Sequence, residues 1–184
     1  NSWSWAPDGS RIAFSSMLRG SFDIYTVEVP NGAVRRLSAH SYYDVRPSWT
    51  PDGQTVLFVR LDEGWRNHEV IAVDATTGGG ARTVVRDTDF FDYRVGAGVG
   101  PAQVSPRGDL VMFRSHRSGW INWWLVPLAG GEPRQLAAEP ADQSASPGYA
   151  RWSPDGRHVV YTSNLNGTSV LPVAPVDGGE PRTL

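Results

Sequence analysis

The chain has 184 residues, 40% hydrophobic and 20% charged, a globular balance with enough apolar surface for a packed core. Its 17 basic residues, all arginine, and 19 acidic ones leave a net charge of −2 with no long run of either sign, so the basic stripe of a nucleic-acid binder is missing. The absence of cysteine excludes disulfides, thiolate catalysis and zinc–cysteine sites, and no window approaches the ~18 apolar residues of a membrane helix.

The opening stretch NSWSWAPDGS lacks the basic start and apolar run of a secretory leader, so a soluble chain is expected, in the cytoplasm or the periplasm. The first predicted element ends at Trp5, where WAPDGS carries turn chemistry: proline presets φ at the second turn position and glycine accepts the positive φ that lets the chain double back. A strand RIAFSS follows, then a loop ending at Gly20, a third strand FDIYTVEV, a turn PNGA and a fourth strand VRRL.

The same series then recurs. WTPDGQTVLF begins at Trp49, VSPRGDLVMF at Val104 and WSPDGRHVVY at Trp152, placing the turn prolines at 7, 51, 106 and 154. The spacings of 44, 55 and 48 residues are close to the length at which four-stranded propeller blades repeat. No segment keeps a 3.6-residue apolar period free of Gly or Pro, so no helix is predicted. The expected fold is an all-β propeller of four four-stranded antiparallel blades, over residues 2–45, 46–99, 100–149 and 150–184. The second copy is the irregular one, read as lengthened by four residues at ATTGGGA and again in the connection after Val85.

The third copy contains GWINWW, with Trp123 beside Trp124. Neighbouring residues of a strand face opposite ways, so burying both indoles requires a sheet covered on both faces, as a blade is by its two neighbours. Each buried indole removes on the order of 150 to 250 Å² from water, about 4 to 6 kcal/mol as an upper bound. Aligning the copies puts Ile24 and Tyr25, His68 and Glu69, and Leu171 and Pro172 at the same two positions. The third strand of the second copy is therefore expected nearer solvent, and the third copy is expected to be the best anchored.

The pattern W-S-P-D-G-x-x-[IV]-x-[FY], followed by an aspartate–aromatic strand such as FDIY, resembles the Pro-Asp repeats of TolB-like propellers along the whole chain. A narrower segment, SHRSGWINWWLVPLAGGEPRQL, is similar to the S-x-R-x-G-W-x-N-[LW]-[YW] blade segment in propellers of prolyl oligopeptidase family serine peptidases. The matching positions are Ser115, Arg117, Gly119, Trp120, Asn122 and Trp124, with His116 where that pattern often has Asp. In that family these are blade-forming rather than catalytic residues. The resemblance implies an N-terminal propeller that restricts access to an α/β-hydrolase domain, and a ring of six to eight blades of which this chain supplies four. No G-x-S-x-G elbow occurs, the nearest approach being GTSVL at 167–171, and the paired glutamates of the dipeptidyl peptidases are not recognisable.

Two inter-blade connections carry one phrase, YYDVR at 42–46 and FFDYR at 90–94. Such connections gather on one face near the channel, so Tyr42, Tyr43, Asp44, Arg46, Phe90, Phe91, Asp92 and Arg94 are the candidate contacts for a peptide or a protein partner, with Trp65 and Trp120 as loop tryptophans beside them. The same residues also admit a structural reading, in which Asp44 and Asp92 orient Arg46 and Arg94 while the aromatics cover blade ends. DTDFFD lacks the glycine and distal glutamate of a calcium loop, the histidines at 40, 68, 116 and 158 share no ligand spacing, and GAGVG does not lead from a strand into a helix. No metal, cofactor or catalytic residue is expected in this chain. The functional expectation is a noncatalytic propeller segment of a peptidase, gating or docking peptides. The alternatives are a TolB-like protein-binding scaffold with no enzyme attached and an autonomous lyase or lactonase using channel carboxylates and a metal.

Overall fold

A computed structural model describes residues 2–64, 67–88, 101–119, 121–137, 149–165 and 168–184, with backbone alone for 164 and 165. Each repeat turn closes as its sequence requires. The Gly9 N–H donates to the Ala6 carbonyl across Pro7 and Asp8, and the Ala6 N–H donates to the Arg11 carbonyl to start the ladder. Gly9, Gly53, Gly108 and Gly156 all take φ between 67° and 76°, the left-handed region open to glycine. The aspartate caps the turn from outside: Asp8 Oδ1 accepts from the Ser10 N–H and hydroxyl, Asp52 Oδ1 from the Gln54 N–H and Thr50, and Asp155 Oδ1 from the Arg157 N–H and Ser153. Those hydrogen bonds hold Asp8, Asp52 and Asp155 below the ordinary carboxylate pKa. In the third copy Arg107 replaces the aspartate, and Asp109 takes over the role by accepting from Ser105 Oγ at 2.5 Å.

Four antiparallel sheets follow from the four turns. The first holds β1 (Trp3–Trp5), β2 (Arg11–Ser16), β3 (Asp23–Glu28) and β4 (Val34–Arg36). The second holds β5 (Tyr43–Trp49), β6 (Thr55–Leu61), β7 (His68–Asp74) and β8 (Arg82–Asp87). The third holds β9 (Gln103–Val104), β10 (Leu110–Ser115), β11 (Asn122–Pro127) and β12 (Arg134–Gln135). The fourth holds β13 (Ala150–Trp152), β14 (His158–Tyr161), β17 (Pro172–Pro175) and β18 (Arg182–Thr183), and a short ladder of β15 (Ser163–Leu165) with β16 (Thr168–Val170) prolongs its central hairpin. The described residues contain no helix, and the expected all-β propeller with four-stranded blades is what the chain forms. β5 packs on both β1 and β9, so the first strand of each blade lies innermost.

The core is divided into three layers, each between consecutive blades. Ile24, Leu37 and Ala13 meet Trp49, Val56, Phe58, Ile71 and Val73 between the first and second blades. Leu57, Val70, Ala72 and Val85 meet Val111, Phe113 and Val126 between the second and third. Met112, Trp123, Leu125 and Leu136 meet Val159, Tyr161, Ala174 and Val176 between the third and fourth. Trp123 and Trp124 divide as their adjacency requires: Trp123 is buried toward the fourth blade and Trp124 packs toward the second.

The expectation for the second blade is corrected. Pairing of Arg60 with Glu69, where the first blade pairs Ser16 with Asp23, shows that two of the extra residues lie in the loop before β7 rather than all in ATTGGGA. The residues that match Ile24 and Tyr25 are therefore Val70 and Ile71, both fully buried, and β7 lies in the core rather than near solvent. A second blade flanked by two neighbours has two dry faces, and its long strands fill both.

Candidate functional site

The end of the molecule opposite the Pro-Asp turns carries the inter-blade connections and the loops between second and third strands. There Tyr42 leads into β5, whose first residues include Tyr43, Asp44 and Arg46. Asp44 is fully buried and receives Arg60 in a two-pronged pair, Nε to Oδ1 at 2.7 Å and Nη2 to Oδ2 at 2.9 Å. Burial works against the Arg60 charge, but the Asp44 carboxylate outweighs it and the pKa of Arg60 ends above its ordinary value. Asp44 thus orients Arg60 across the β5–β6 ladder and not Arg46, and no surface is left on it for a ligand.

Arg46 stands apart for another reason. The β5–β6 register shifts between Val45 and Ser48, a bulge on the innermost strand, and Arg46 within it has φ 56°, the one positive φ outside glycine among the described residues. Its N–H donates to Ser2 Oγ over 2.7 Å, which ties the bulge to the first blade. The guanidinium is half-buried and has no carboxylate partner among the described residues.

Around the bulge lies an aromatic ledge. Tyr43 and Phe22 stand 6.3 Å apart between ring centroids, His40 and Tyr42 4.8 Å, and Tyr42 is exposed. Phe22 and His40 were not among the residues singled out by motif. The signal that could have found them is their place in the two segments that must meet here, the loop before β3 and the connection before β5. Phe90, Phe91, Asp92, Arg94, Trp65 and Trp120 lie outside the described residues.

The S-x-R-x-G-W segment has a structural task. The Arg117 N–H donates to Ser115 Oγ, its side chain crosses to the second blade to bind Asp87 Oδ1 at 3.1 Å, and the same guanidinium donates to the Arg86 carbonyl. Asn122, also of the motif, donates to Ser118 Oγ at 2.8 Å. Behind this clamp His68 is buried with Nε2 3.8 Å from Asp87 Oδ2. Burial lowers its pKa, with Arg117 and His116 acting the same way and Asp87 opposing. Among the described residues no group of three or more His, Asp or Glu side chains is placed to hold a metal ion.

No protein-family model matches the chain. Over 70 residues, 38% of this chain and 16% of the relative, it is 33% identical to the Tol-Pal system protein TolB of Francisella tularensis. Over 62 residues, 33% of this chain and 9% of the relative, it is 37% identical to the uncharacterized peptidase YuxL of Bacillus subtilis. Among solved structures, TolB from Acinetobacter baumannii superposes on the whole chain with a TM-score of 0.76 at 21% identity, using 43% of its own length. A puromycin hydrolase superposes on 98% of the chain with a TM-score of 0.72 at 17% identity, using 30% of its length. The chain spans less than half of each of these proteins. In fold it is a TolB-like β-propeller, of the kind that TolB and the puromycin-hydrolysing and prolyl peptidases share.

Proposed function

We propose that the chain is a noncatalytic section of the propeller of a prolyl-oligopeptidase-like serine peptidase, which docks peptides or controls their entry at the loop end. The observation that carries this reading is the Ser115–Trp124 segment, whose arginine clamps the third blade to the second through Asp87. The likeness in fold to puromycin hydrolase supports it. In this reading Tyr42, Tyr43 and Arg46 contact the peptide, Arg46 meeting a carboxylate and the tyrosines its apolar side chains, while Asp44 supports them through Arg60. Phe90, Phe91, Asp92, Arg94, Trp65 and Trp120 are assigned to the same surface by their repeat positions.

The coding sequence beyond Leu184 tests the parentage. A G-x-S-x-G elbow followed by Asp and His supports the peptidase, and a stop codon after two or three more blades ends it. For the surface, Tyr42→Ala and Arg46→Ala are expected to weaken binding of short peptides, followed by intrinsic fluorescence, at a nearly unchanged melting temperature. A large fall in melting temperature with no change in binding would make these residues structural.

A second reading, a TolB-like scaffold that binds a protein partner and carries no enzyme, draws support from the sequence likeness to TolB and from the superposition on the whole chain. The same reading of the coding sequence separates the two.

A further inference from the structure

Consecutive blades are joined by bonds that recur with the repeat. On the innermost strands Trp49 Nε1 donates to the Ser4 carbonyl of the preceding blade, and Trp152 Nε1 donates to the Gln103 carbonyl. At the outer rim Arg82 donates to the Leu128 carbonyl and Arg134 to the Val176 carbonyl of the following blade. These two arginines share one repeat position, opposite Ala72 and Leu125 on the trailing face, which is turned to the following blade. The leading face is turned to the preceding one.

The first joint departs from this rule. Its arginine at the repeat position is Arg35, opposite Thr26. The matching acceptor is the Ala75 carbonyl, since Ala75, Leu128 and Val176 each donate an N–H to the residue that precedes the second strand. Arg11 has taken that acceptor: its guanidinium donates to the Ala75 carbonyl at 3.0 Å and to the Gly53 carbonyl at 3.1 Å, and lies 4.9 Å from the centre of the Trp49 ring. The other copies carry Thr55, Leu110 and His158 there. Arg35 is thereby released from the joint. It is exposed and has neither a hydrogen bond nor a carboxylate partner among the described residues.

Between the two blades lies a cavity of about 460 Å³ whose walls include Arg11, Thr26, Glu28, Arg35, Ala75 and Thr76. Thr26 is only 4% exposed, yet its hydroxyl has no hydrogen-bond partner among the described residues. The third blade fills the same position with Leu125. Arg36, also on the wall, is neutralised by Asp23 at 2.6 Å. The remaining cations, Arg11 and Arg35, set against Glu28, leave one positive charge.

We propose that this cavity binds a monoanionic carboxylate, with Arg35 holding both carboxylate oxygens and the Thr26 hydroxyl donating from the floor. The planar guanidinium fork matches a carboxylate. One excess positive charge balances a monoanion, whereas Glu28 repels the second charge of a phosphate dianion. Both walls belong to this chain, and the site lies at the turn end of the outer rim, so it is independent of the peptidase reading.

Isothermal titration calorimetry of the protein with butyrate and with N-acetylalanine tests it, the first standing for a free acid and the second for a peptide carboxyl terminus. Saturable binding is expected for the acids and none for neutral butyramide, and the tighter of the two acids names the source. Arg35→Gln is expected to raise the dissociation constant at least about tenfold and Thr26→Val about threefold, the scales of a charge-assisted and a neutral hydrogen bond. Thr26→Leu places the residue of the third blade in the cavity and is expected to abolish binding. Arg82→Gln removes the matching arginine of the second joint and should leave the dissociation constant unchanged. Arg35 holds nothing in the fold, so Arg35→Gln should keep the melting temperature, which separates loss of the ligand from loss of structure. No binding of either acid, an unchanged dissociation constant in Arg35→Gln, or tighter binding of inorganic phosphate than of both acids would overturn the proposal.

Discussion

The first and second blades are built from nearly the same sentence of sequence, and they differ most in what covers them. Ile12, Phe14 and Val27 of the first blade sit where Val56, Phe58 and Val73 sit in the second, yet the first set is half-buried and the second is in the core. Trp5 and Trp49 differ in the same way. The motif specifies the strands and their turn, whereas burial comes from the neighbouring blade. One apolar alternation therefore yields a dry layer in one copy and an exposed stripe in the other.

The largest effect should come from cutting that layer. Phe58→Ala is expected to lower unfolding stability by about 3 to 5 kcal/mol in urea titrations, and Phe14→Ala by less than half as much. Equal losses would mean that the leading face of the first blade is already covered. Next in size, Asp44→Ala leaves the Arg60 guanidinium without its partner and is expected to cost about 3 kcal/mol, while adding Arg60→Met should recover most of that loss. The first blade offers the weaker counterpart, Asp23, which holds Arg36 by one bond at 2.6 Å with Arg36 partly exposed. Asp23→Ala should cost less.

Gly78 and Gly32 differ similarly. Both have positive φ, but a methyl at Gly78 would lie 2.5 Å from the Leu37 carbonyl oxygen, and one at Gly32 would meet nothing. Gly32→Ala should cost about 1 kcal/mol for its backbone alone and Gly78→Ala about 2 to 3 kcal/mol.

The smallest effect is a pH dependence confined to the second blade. His68 is kept neutral in the fold by burial, whereas the unfolded chain takes up a proton near pH 6.5. The unfolded state then binds more protons, so stability should fall as pH drops through about 6.5 toward the lower folded pKa. Phe22 holds the matching position in the first blade, and His68→Phe should flatten melting temperature against pH in that window. The Asx-capped turns act lower. The depressed pKa of Asp8, Asp52, Asp74, Asp109 and Asp155 places their contribution above the ordinary carboxylate pKa, and it is lost on acidification below that value.

Much of this molecule was written in adjacent residues. Turn type, the aspartate cap and its transfer to Asp109 in the third copy, and the split of Trp123 and Trp124 between two faces all follow from a few neighbouring positions. The candidate site was only partly legible. YYDVR reads as an inter-blade connection, whereas Tyr43 already opens β5, and proximity in sequence suggested Arg46 as the partner of Asp44 when the ladder supplied Arg60.

The sequence alone determined the repeat, its four strands and the hairpin that opens each blade, because strand alternation and turn dihedrals act over two to five residues. Only the tertiary structure decided that Val70 and Ile71 carry the packing pair of the second blade, that Arg117 clamps Asp87, and that Trp49 and Trp152 rivet one blade to the one before. Those choices depend on where loops of unequal length let strands come into register, and on which carbonyl a neighbouring blade brings within reach.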